Sequence, residues 1–475
     1  MTIAPGAIVL AAGLGTRMRS ARAKVLHELG GEPMIARVMR SLAPLGAAPQ
    51  IVVVGHQGDE VATAARASVP GVSVEVARQP AQRGTGDAAR CGLEAFAPQF
   101  DGDVLILYGD MPMIRAATLQ AFIAQHRRAG AEVSFISAML DDAGSYGRVV
   151  RDRAGAVAAI VEARDASPAE LAIREVNTGV YLARAAVLRA AFAELRPNNA
   201  QGEYYLTDLV AIARSGGLAV EAWCAPTAAE FAGINSLKEM ADMEAEIRAA
   251  VNRKLMEAGV TIVDPATAYI GEQVEIGRDS VVGPNVQILG RSKVGAGVRI
   301  EGTAYLRDVE IGDGCHLKLG VRAEECHIGP HCEIGPFANL RTGTELEGHN
   351  RIGNFVETKK ARLGEGTKAS HLSYLGDTKI GRETNIGCGV ITVNYDGYDK
   401  HLTRIGSRCM IGCDTQLVAP VKIGDDVYVA SGTTILREVP AGALCVSHHP
   451  QKIKQGWTAE WRRRHSERPD AKGSD

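Results

Sequence analysis

The stretch that decides the fold runs from residue 270 to residue 306, IGEQVEIGRDSVVGPNVQILGRSKVGAGVRIEGTAYL. Within it Ile270, Ile276, Val282, Ile288, Val294, Ile300 and Leu306 fall at every sixth position. A helix, with its period of about 3.6, and a strand alternating at two both fail to produce that spacing. A β-helix of hexapeptide repeats does, because each short coil closes its core only by stacking on the next. The phase slips and resumes at Ile328, Ile334, Leu340, Leu346 and Ile352, then returns at Ile405, Ile411, Leu417, Ile423, Val429 and Ile435. Gly follows many of these positions, as in IGPHCE and IGDDVY. Two segments leave the period, Glu357–Ser373 and Val390–His401. They are expected as loops or bulged coils, where functional residues collect.

Upstream the texture differs. As far as about Gly233, short apolar runs (Ala7–Leu10, Gln50–Val54, Val104–Leu107, Val133–Ile136) alternate with Ala-rich stretches. That alternation predicts an α/β domain, a mostly parallel sheet with helices on both faces. Ser236 and Glu239 then form a capping-box pattern, followed by Leu237, Met240, Met243, Ile247, Val251 and Leu255 at spacings of three and four, with Gly259 at the C-terminal cap position. This reads as a connecting helix, the alternative being a last helix of the first domain. The expected organisation is a first domain over 1–237, a linker helix over 238–258 and a β-helix domain over 259–475. A C-terminal arm follows from about 450, holding Trp457, Trp461 and Arg462–Arg464. The arm reads as a solvated end or as an anion-contacting lid.

Composition excludes several classes. Of 475 residues, 53 are Lys or Arg and 55 Asp or Glu, a formal net charge of −2, so the basic excess of a general nucleic-acid binder is missing. No apolar run reaches about 18 residues, so membrane insertion is not expected. The opening MTIAPGAIVLAAG lacks the basic flank of a signal peptide, and nine scattered cysteines without a CxxC pair read as reduced thiols. The expected location is cytoplasmic.

The strand Ile8–Leu10 runs straight into AAGLGTRM. Gly13 and Gly15 permit close backbone approach, and consecutive N–H groups can cradle an anion. A Walker loop fails for want of Gly-Lys-Ser/Thr, and a dinucleotide fingerprint fails because position 18 is Met18. What survives is a phosphate loop reinforced by two cations, Arg17 and Lys24, the latter in AKVLHEL.

The string LAAGLGTRM followed by AKVL resembles the sugar-1-phosphate nucleotidyltransferases. With the hexapeptide domain added, nearly the whole chain is similar to the bacterial bifunctional N-acetylglucosamine-1-phosphate uridylyltransferase/glucosamine-1-phosphate N-acetyltransferase family. The resemblance implies a Rossmann-like nucleotidyltransferase domain, a connecting helix and a left-handed parallel β-helix. It implies that Leu10, Ala11, Ala12 and Gly13 line the nucleotide, while Arg17 and Lys24 neutralise its phosphates. Gln79, Gly84 and Thr85 would read uracil, the Gln79 amide offering a donor and an acceptor. Tyr108, Gly109 and Asp110 end the run DVLILYGD, and Asp110 would hold Mg2+ together with Asn235. Gly147, Glu162 and Asn177 would hold the amino sugar. Any single Asp at a strand end is more often a turn or cap residue; the joint occurrence in order carries the weight. The implied reaction is attack of a sugar-1-phosphate oxygen on the α-phosphorus of UTP, driven by positioning and charge neutralisation.

In the β-helix the segments ETKKARLG, SHLSYLGD, TNIGCG and VNYDGYDK carry Lys359, His371, Tyr374, Asn385, Asn394, Tyr395 and Lys400. Acyl transfer to an amine needs a base, and an imidazole, with a reference pKa of about 6.5, suits it. His371 is that candidate. The resemblance assigns Arg341 and Lys359 to the sugar phosphate, Tyr374 and Asn385 to further sugar contacts, and Asn394-Tyr395 with the coils beyond Ile405 to acetyl-coenzyme A. Along the coenzyme groove this chain carries Cys388, Cys413 and Ser431. Cys413 stands where the family has Ser, and His448 where it has Arg. The cluster Cys326-His327, His331-Cys332 has metal-ligand chemistry, but alternate side chains of a hexad point in and out, so a structural account is preferred. Three readings compete: a two-site enzyme making UDP-N-acetylglucosamine, a single-activity nucleotidyltransferase with a scaffolding β-helix, and a non-catalytic assembly protein. His371, Lys24, Asp110 and Asn235 favour the first. The family resemblance also implies a homotrimer with acetyl sites at subunit junctions.

Overall fold

The computed structural model describes residues 4–13, 15–447 and 451–466. The chain divides into two compact units, Met1–Arg248 and Ala249–Asp475. The first is built on a nine-stranded sheet. Its main path runs, in spatial order, Val220–Cys224, Val133–Met139, Glu175–Arg184, Asp103–Tyr108, Gly6–Ala11, Gln50–Val54 and Val74–Arg78. All pairings along this path are parallel except those of Glu175–Arg184, which runs antiparallel to both its neighbours. Continuous apolar strands suit a sheet covered on both faces. Val9, Val52 and Leu105 join one core layer, while Ile8, Ile51 and Ile106 join the other.

The second unit is one 26-stranded coil of parallel strands, most of them pairing with the strand three places on, while the long strands Arg351–Leu363 and Lys368–Ile380 each span a whole turn and pair with each other. Glu275 lies against Lys293, eighteen residues later, and the six-residue period is therefore one side of a three-sided coil. The core is a single column running from Leu255 through Ile270, Ile288, Leu306, Leu340 and Ile386 to Val439. The recurrent glycines have a specific cause. A Cβ on Gly283 would lie 2.0 Å from the Glu301 carbonyl oxygen, and one on Gly353 would lie 1.9 Å from that of Ser370. Neither glycine needs a left-handed backbone; the next coil passes too close for a side chain. Gly353→Ala should therefore destabilise the unit by about 1–3 kcal/mol, the usual cost of overpacking. A thermal melt checks this, and an unchanged transition would contradict the close approach.

Two expectations about local structure change. Glu239 does not return its carboxylate to Ser236. The Ser236 hydroxyl accepts from the Glu239 N–H at 3.2 Å, but the carboxylate accepts from the Asn235 N–H at 2.7 Å, so the cap of helix Leu237–Glu257 also fastens Asn235. Glu357–Ser373 is not a loop. It belongs to the bent strands Arg351–Leu363 and Lys368–Ile380, which keep the ladder around the corners where Phe355, Lys360 and Leu372 take left-handed backbone. Val390–His401 leaves the coil only beyond strand Ile391–Val393, which stays in the ladder. Thr378 pairs with Thr403, 25 residues later, so about seven residues bulge out after Val393.

Candidate active sites

In the first unit the carboxyl ends of Gly6–Ala11 and Asp103–Tyr108 lie side by side, Leu10 against Tyr108. Ligands gather at such strand ends. There the Lys24 ammonium donates to the Asp110 carboxylate and, at 2.7 Å, to Asn235 Oδ1. The Lys24 side chain is only 12% exposed, so this pairing is largely withdrawn from water. Asn235 is held in turn by its Nδ2, which donates to the Gly233 carbonyl at 3.1 Å. Three residues far apart in sequence thus meet at one point.

The loop around them is shaped to leave room. A Cβ on Gly15, at φ 60°, would strike Lys24 Cβ at 2.6 Å, whereas one on Gly13 would meet nothing within 4 Å. Gly15 is required by packing; Gly13 opens onto free space. Arg17 is exposed beside it in the turn Thr16–Met18. Gln82, not singled out from sequence, donates to the Ala12 carbonyl at 2.6 Å.

Gln79 is buried, and its Nε2 donates to the Gly84 carbonyl at 3.2 Å and to Asp87 at 2.9 Å. Both amide hydrogens are therefore spent, and only its oxygen remains for a ligand. The expected donor-and-acceptor reading of a base by this side chain reduces to the acceptor. Thr85 Oγ1 accepts from the Leu206 N–H at 3.1 Å and bonds the Tyr108 hydroxyl, whose pKa is raised by burial. A Cβ on Gly179 would lie 2.3 Å from the Tyr108 ring. The Thr85 and Tyr108 side chains are thus tied to each other beside Gly109. On the other side Asn177 N–H donates to the Gly147 carbonyl at 2.9 Å, and Glu162 accepts from the Thr207 hydroxyl at 3.1 Å. Burial pushes the Glu162 carboxyl above the usual carboxylate range.

In the second unit the candidate residues occupy two edges of the three-sided coil. On one edge Arg341 donates to Glu357 at 2.8 Å, and Lys359 lies 3.8 Å from Asp377. Asn394 Nδ2 donates to Asp377 at 2.5 Å, so the bulge folds back over Lys359. Its Lys400 lies beside Lys359, which lowers its pKa. Asp396 and His401 pair at 2.7 Å and brace the bulge, and Tyr395 donates to the Gly397 carbonyl at 2.6 Å. Tyr374 bends toward Gly376 and Asn394.

On the other edge His371 is exposed, and the Cys388, Cys413 and Ser431 side chains follow it up the coil. The Cys388 carbonyl accepts from Asp414 N–H at 2.7 Å and the Cys413 carbonyl from Gly432 N–H at 2.8 Å, so these positions stack. Asn385 sits on the adjoining face, its Nδ2 3.2 Å from the Met410 sulfur. Asn354 pairs with His371 in the ladder, and its buried Oδ1 has no hydrogen-bond partner among the described residues. In the same ladder Lys359 pairs with Gly376, five residues beyond His371, which is about 16 Å of extended chain. His448 lies outside the described residues.

The Cys326, His327, His331 and Cys332 side chains do not converge. Cys326 and Cys332 are buried, His327 lies 3.3 Å from Glu310, and His331 stacks on His349 with centroids 5.1 Å apart. In the arm, helix Trp457–Ser466 carries Trp457 and Trp461 exposed and stacked, centroids 6.2 Å apart. Among the described residues no helix is long and apolar enough to cross a membrane.

Residues 7–174 match the model of the MobA-like NTP transferase domain, residues 265–345 that of the GMPPB C-terminal domain, and residues 402–437 that of six bacterial transferase hexapeptide repeats. The chain is 46% identical over 452 residues to the bifunctional protein GlmU of Pelobacter propionicus, covering 95% of this chain and 97% of that one. It is 44% identical to the GlmU proteins of Kineococcus radiotolerans and Mycolicibacterium vanbaalenii, covering 95% and 96% of this chain and 91% and 93% of theirs. A transferase unit with the strand-end Lys24–Asp110–Asn235 cluster, followed by a hexapeptide β-helix, spans those relatives almost end to end: the chain belongs to the bifunctional GlmU family, enzymes with a nucleotidyltransferase and a hexapeptide transferase domain.

Proposed function

We propose that the chain makes UDP-N-acetylglucosamine in two steps, one in each unit, for cell-wall synthesis in the cytoplasm. In the β-helix the amine of glucosamine-1-phosphate attacks the thioester of acetyl-coenzyme A. An N–C bond forms, the C–S bond breaks, His371 takes the amine proton, and the coenzyme sulfur leaves as thiolate and takes that proton back as the thiol. Arg341, Lys359 and Lys400 neutralise the sugar phosphate, with Tyr374 and Asn385 on the sugar. Asn394, Tyr395, Cys388, Cys413, Ser431 and His448 flank the coenzyme. Cys413 presents a thiol in place of a hydroxyl donor.

In the first unit the phosphate oxygen of N-acetylglucosamine-1-phosphate attacks the α-phosphorus of UTP, and the bond to pyrophosphate breaks. Lys24 and Arg17 hold the phosphates, Gln79 reads the base, and Gly147, Glu162 and Asn177 orient the sugar. The observation that carries this reading is the convergence of Asp110 and Asn235 oxygens on the Lys24 ammonium. One carboxylate and one amide oxygen aimed at a common cation fit Mg2+, which takes few protein oxygens and shares phosphate ligands. When bound, Mg2+ supplies charge neutralisation at the phosphates. Lys24, given a triphosphate, exchanges its carboxylate partner for phosphate oxygens.

A homotrimer follows from the same reading. His371 and Lys359 lie on different edges of one coil, so one chain does not unite the acetyl site. The His371 edge also carries an exposed ridge, Leu319, Phe337, Phe355 and Leu372, with the two Phe rings stacked 5.9 Å apart. Bulky residues in left-handed backbone, as at Phe337, Phe355 and Leu372, are uncommon and point to a functional surface. A second copy that covers the ridge with its Lys359 edge completes the site.

The test supplies the purified chain with glucosamine-1-phosphate, acetyl-coenzyme A, UTP and Mg2+, and follows thiol and pyrophosphate separately. Both should be released, pyrophosphate lagging and requiring acetyl-coenzyme A. Pyrophosphate only from N-acetylglucosamine-1-phosphate, with no thiol, would reduce the β-helix to a scaffold.

A further inference from the structure

Gln79 follows strand Val74–Arg78, and Asp87 lies in the first turn of helix Thr85–Glu94. Both are buried. One Asp87 oxygen accepts from Gln79 Nε2 at 2.9 Å, and the other accepts from the Arg90 guanidinium one turn along. The second hydrogen of the same amide goes to the Gly84 carbonyl. A carboxylate and a carbonyl can only accept, so chemistry dictates which end of the amide faces them. The Gln79 oxygen is thereby turned the other way, without a partner among the described residues. Uracil offers N3–H to such an oxygen. Cytosine offers a lone pair at the same position, which repels it.

We propose that Asp87 is a positioning residue that fixes the polarity of the Gln79 amide and so makes the site select UTP over CTP. This rests on the reading of Gln79 as the base reader. With Asn at position 87, Arg90 would hold the amide oxygen and the new N–H2 would face the Gln79 N–H2. Two donors cannot oppose each other, so the Gln79 amide turns over or loses its register.

The test measures kcat/KM with UTP and with CTP for wild type, Asp87→Asn, Gln79→Ala and the double variant, pyrophosphate release being the readout. Asp87→Asn should lower the UTP/CTP ratio about tenfold, the usual discrimination from one directed hydrogen bond, with KM for the sugar phosphate unchanged. On the Gln79→Ala background the same change should leave the ratio where Gln79→Ala put it. A purely structural Asp87 would lower both nucleotides alike. If Gln79→Ala lowers the ratio and Asp87→Asn does not, the role of Asp87 is overturned. If Gln79→Ala itself leaves the ratio intact, the base-reading role of Gln79 falls, and that of Asp87 with it. Should Asp87→Asn fail to fold, Asp87→Ala removes the fixed acceptor without adding an amide and carries the same expectation.

Discussion

Asp110→Ala is expected to lower uridylyl transfer about 10³-fold while leaving acetyl transfer unchanged. The carboxylate supplies the negative charge that faces the Lys24 ammonium where it meets Asn235. Removing it leaves one amide oxygen to hold a divalent cation, too little to fix phosphates for in-line attack. It also leaves Lys24 free to stay on Asn235 rather than to exchange partners. Asp110→Asn keeps the volume and one oxygen, so it should lose nearly as much activity and less stability. Pyrophosphate release from N-acetylglucosamine-1-phosphate measures the loss, and thiol release from glucosamine-1-phosphate measures the other activity in the same preparation. Because no residue of the first site recurs in the second, thiol release should persist at the wild-type rate. Its disappearance in a protein with an unchanged melting profile would sink the two-site reading.

The β-helix was legible because its physics is local. Stacking imposes one inward apolar residue per side and one glycine where the next backbone passes, and both recur along the chain as at Ile352-Gly353. The first unit was legible as a class, from buried runs such as Gln50–Val54, but its strand order was not. Glu175–Arg184 inserts antiparallel between two strands that precede it in sequence, a long-range pairing that no local pattern announces. The same limit governed the site. Residue type pointed to Lys24, Asp110 and Asn235, yet only the fold shows Thr85 tied to Tyr108, or Asp87 spending both hydrogens of Gln79 jointly with Gly84. Asp87 had a possible sequence signal, an acidic residue in the first turn of a helix, but that position is the commonest place for a merely capping carboxylate. The division of the candidate acetyl-transfer residues between two edges was hidden for another reason. Corner positions depend on counting around the coil, and the count shifts at the bulge after Val393.

His371→Ala should lower acetyl transfer by about 10²–10⁴, the usual worth of a positioned acid or base, and leave uridylyl transfer from N-acetylglucosamine-1-phosphate intact. The side chain is exposed, and the Ser373 hydroxyl donates to the His371 and Gly387 carbonyls, at 2.9 and 3.1 Å, not to the imidazole, so truncation leaves that anchoring intact. Thiol release measures the loss. The sharper experiment mixes chains. If His371 of one copy works with Lys359 of another, a His371→Ala chain and a Lys359→Ala chain are each inactive alone. Refolded together, they form some junctions where an intact His371 edge meets an intact Lys359 edge, and thiol release returns in part. A site contained in one chain gives no such recovery at any mixing ratio, because every chain then carries one defect. Recovery would tie the exposed ridge, the split edges and the trimer to a single cause: the catalytic imidazole and the phosphate-binding cations are brought together only by association.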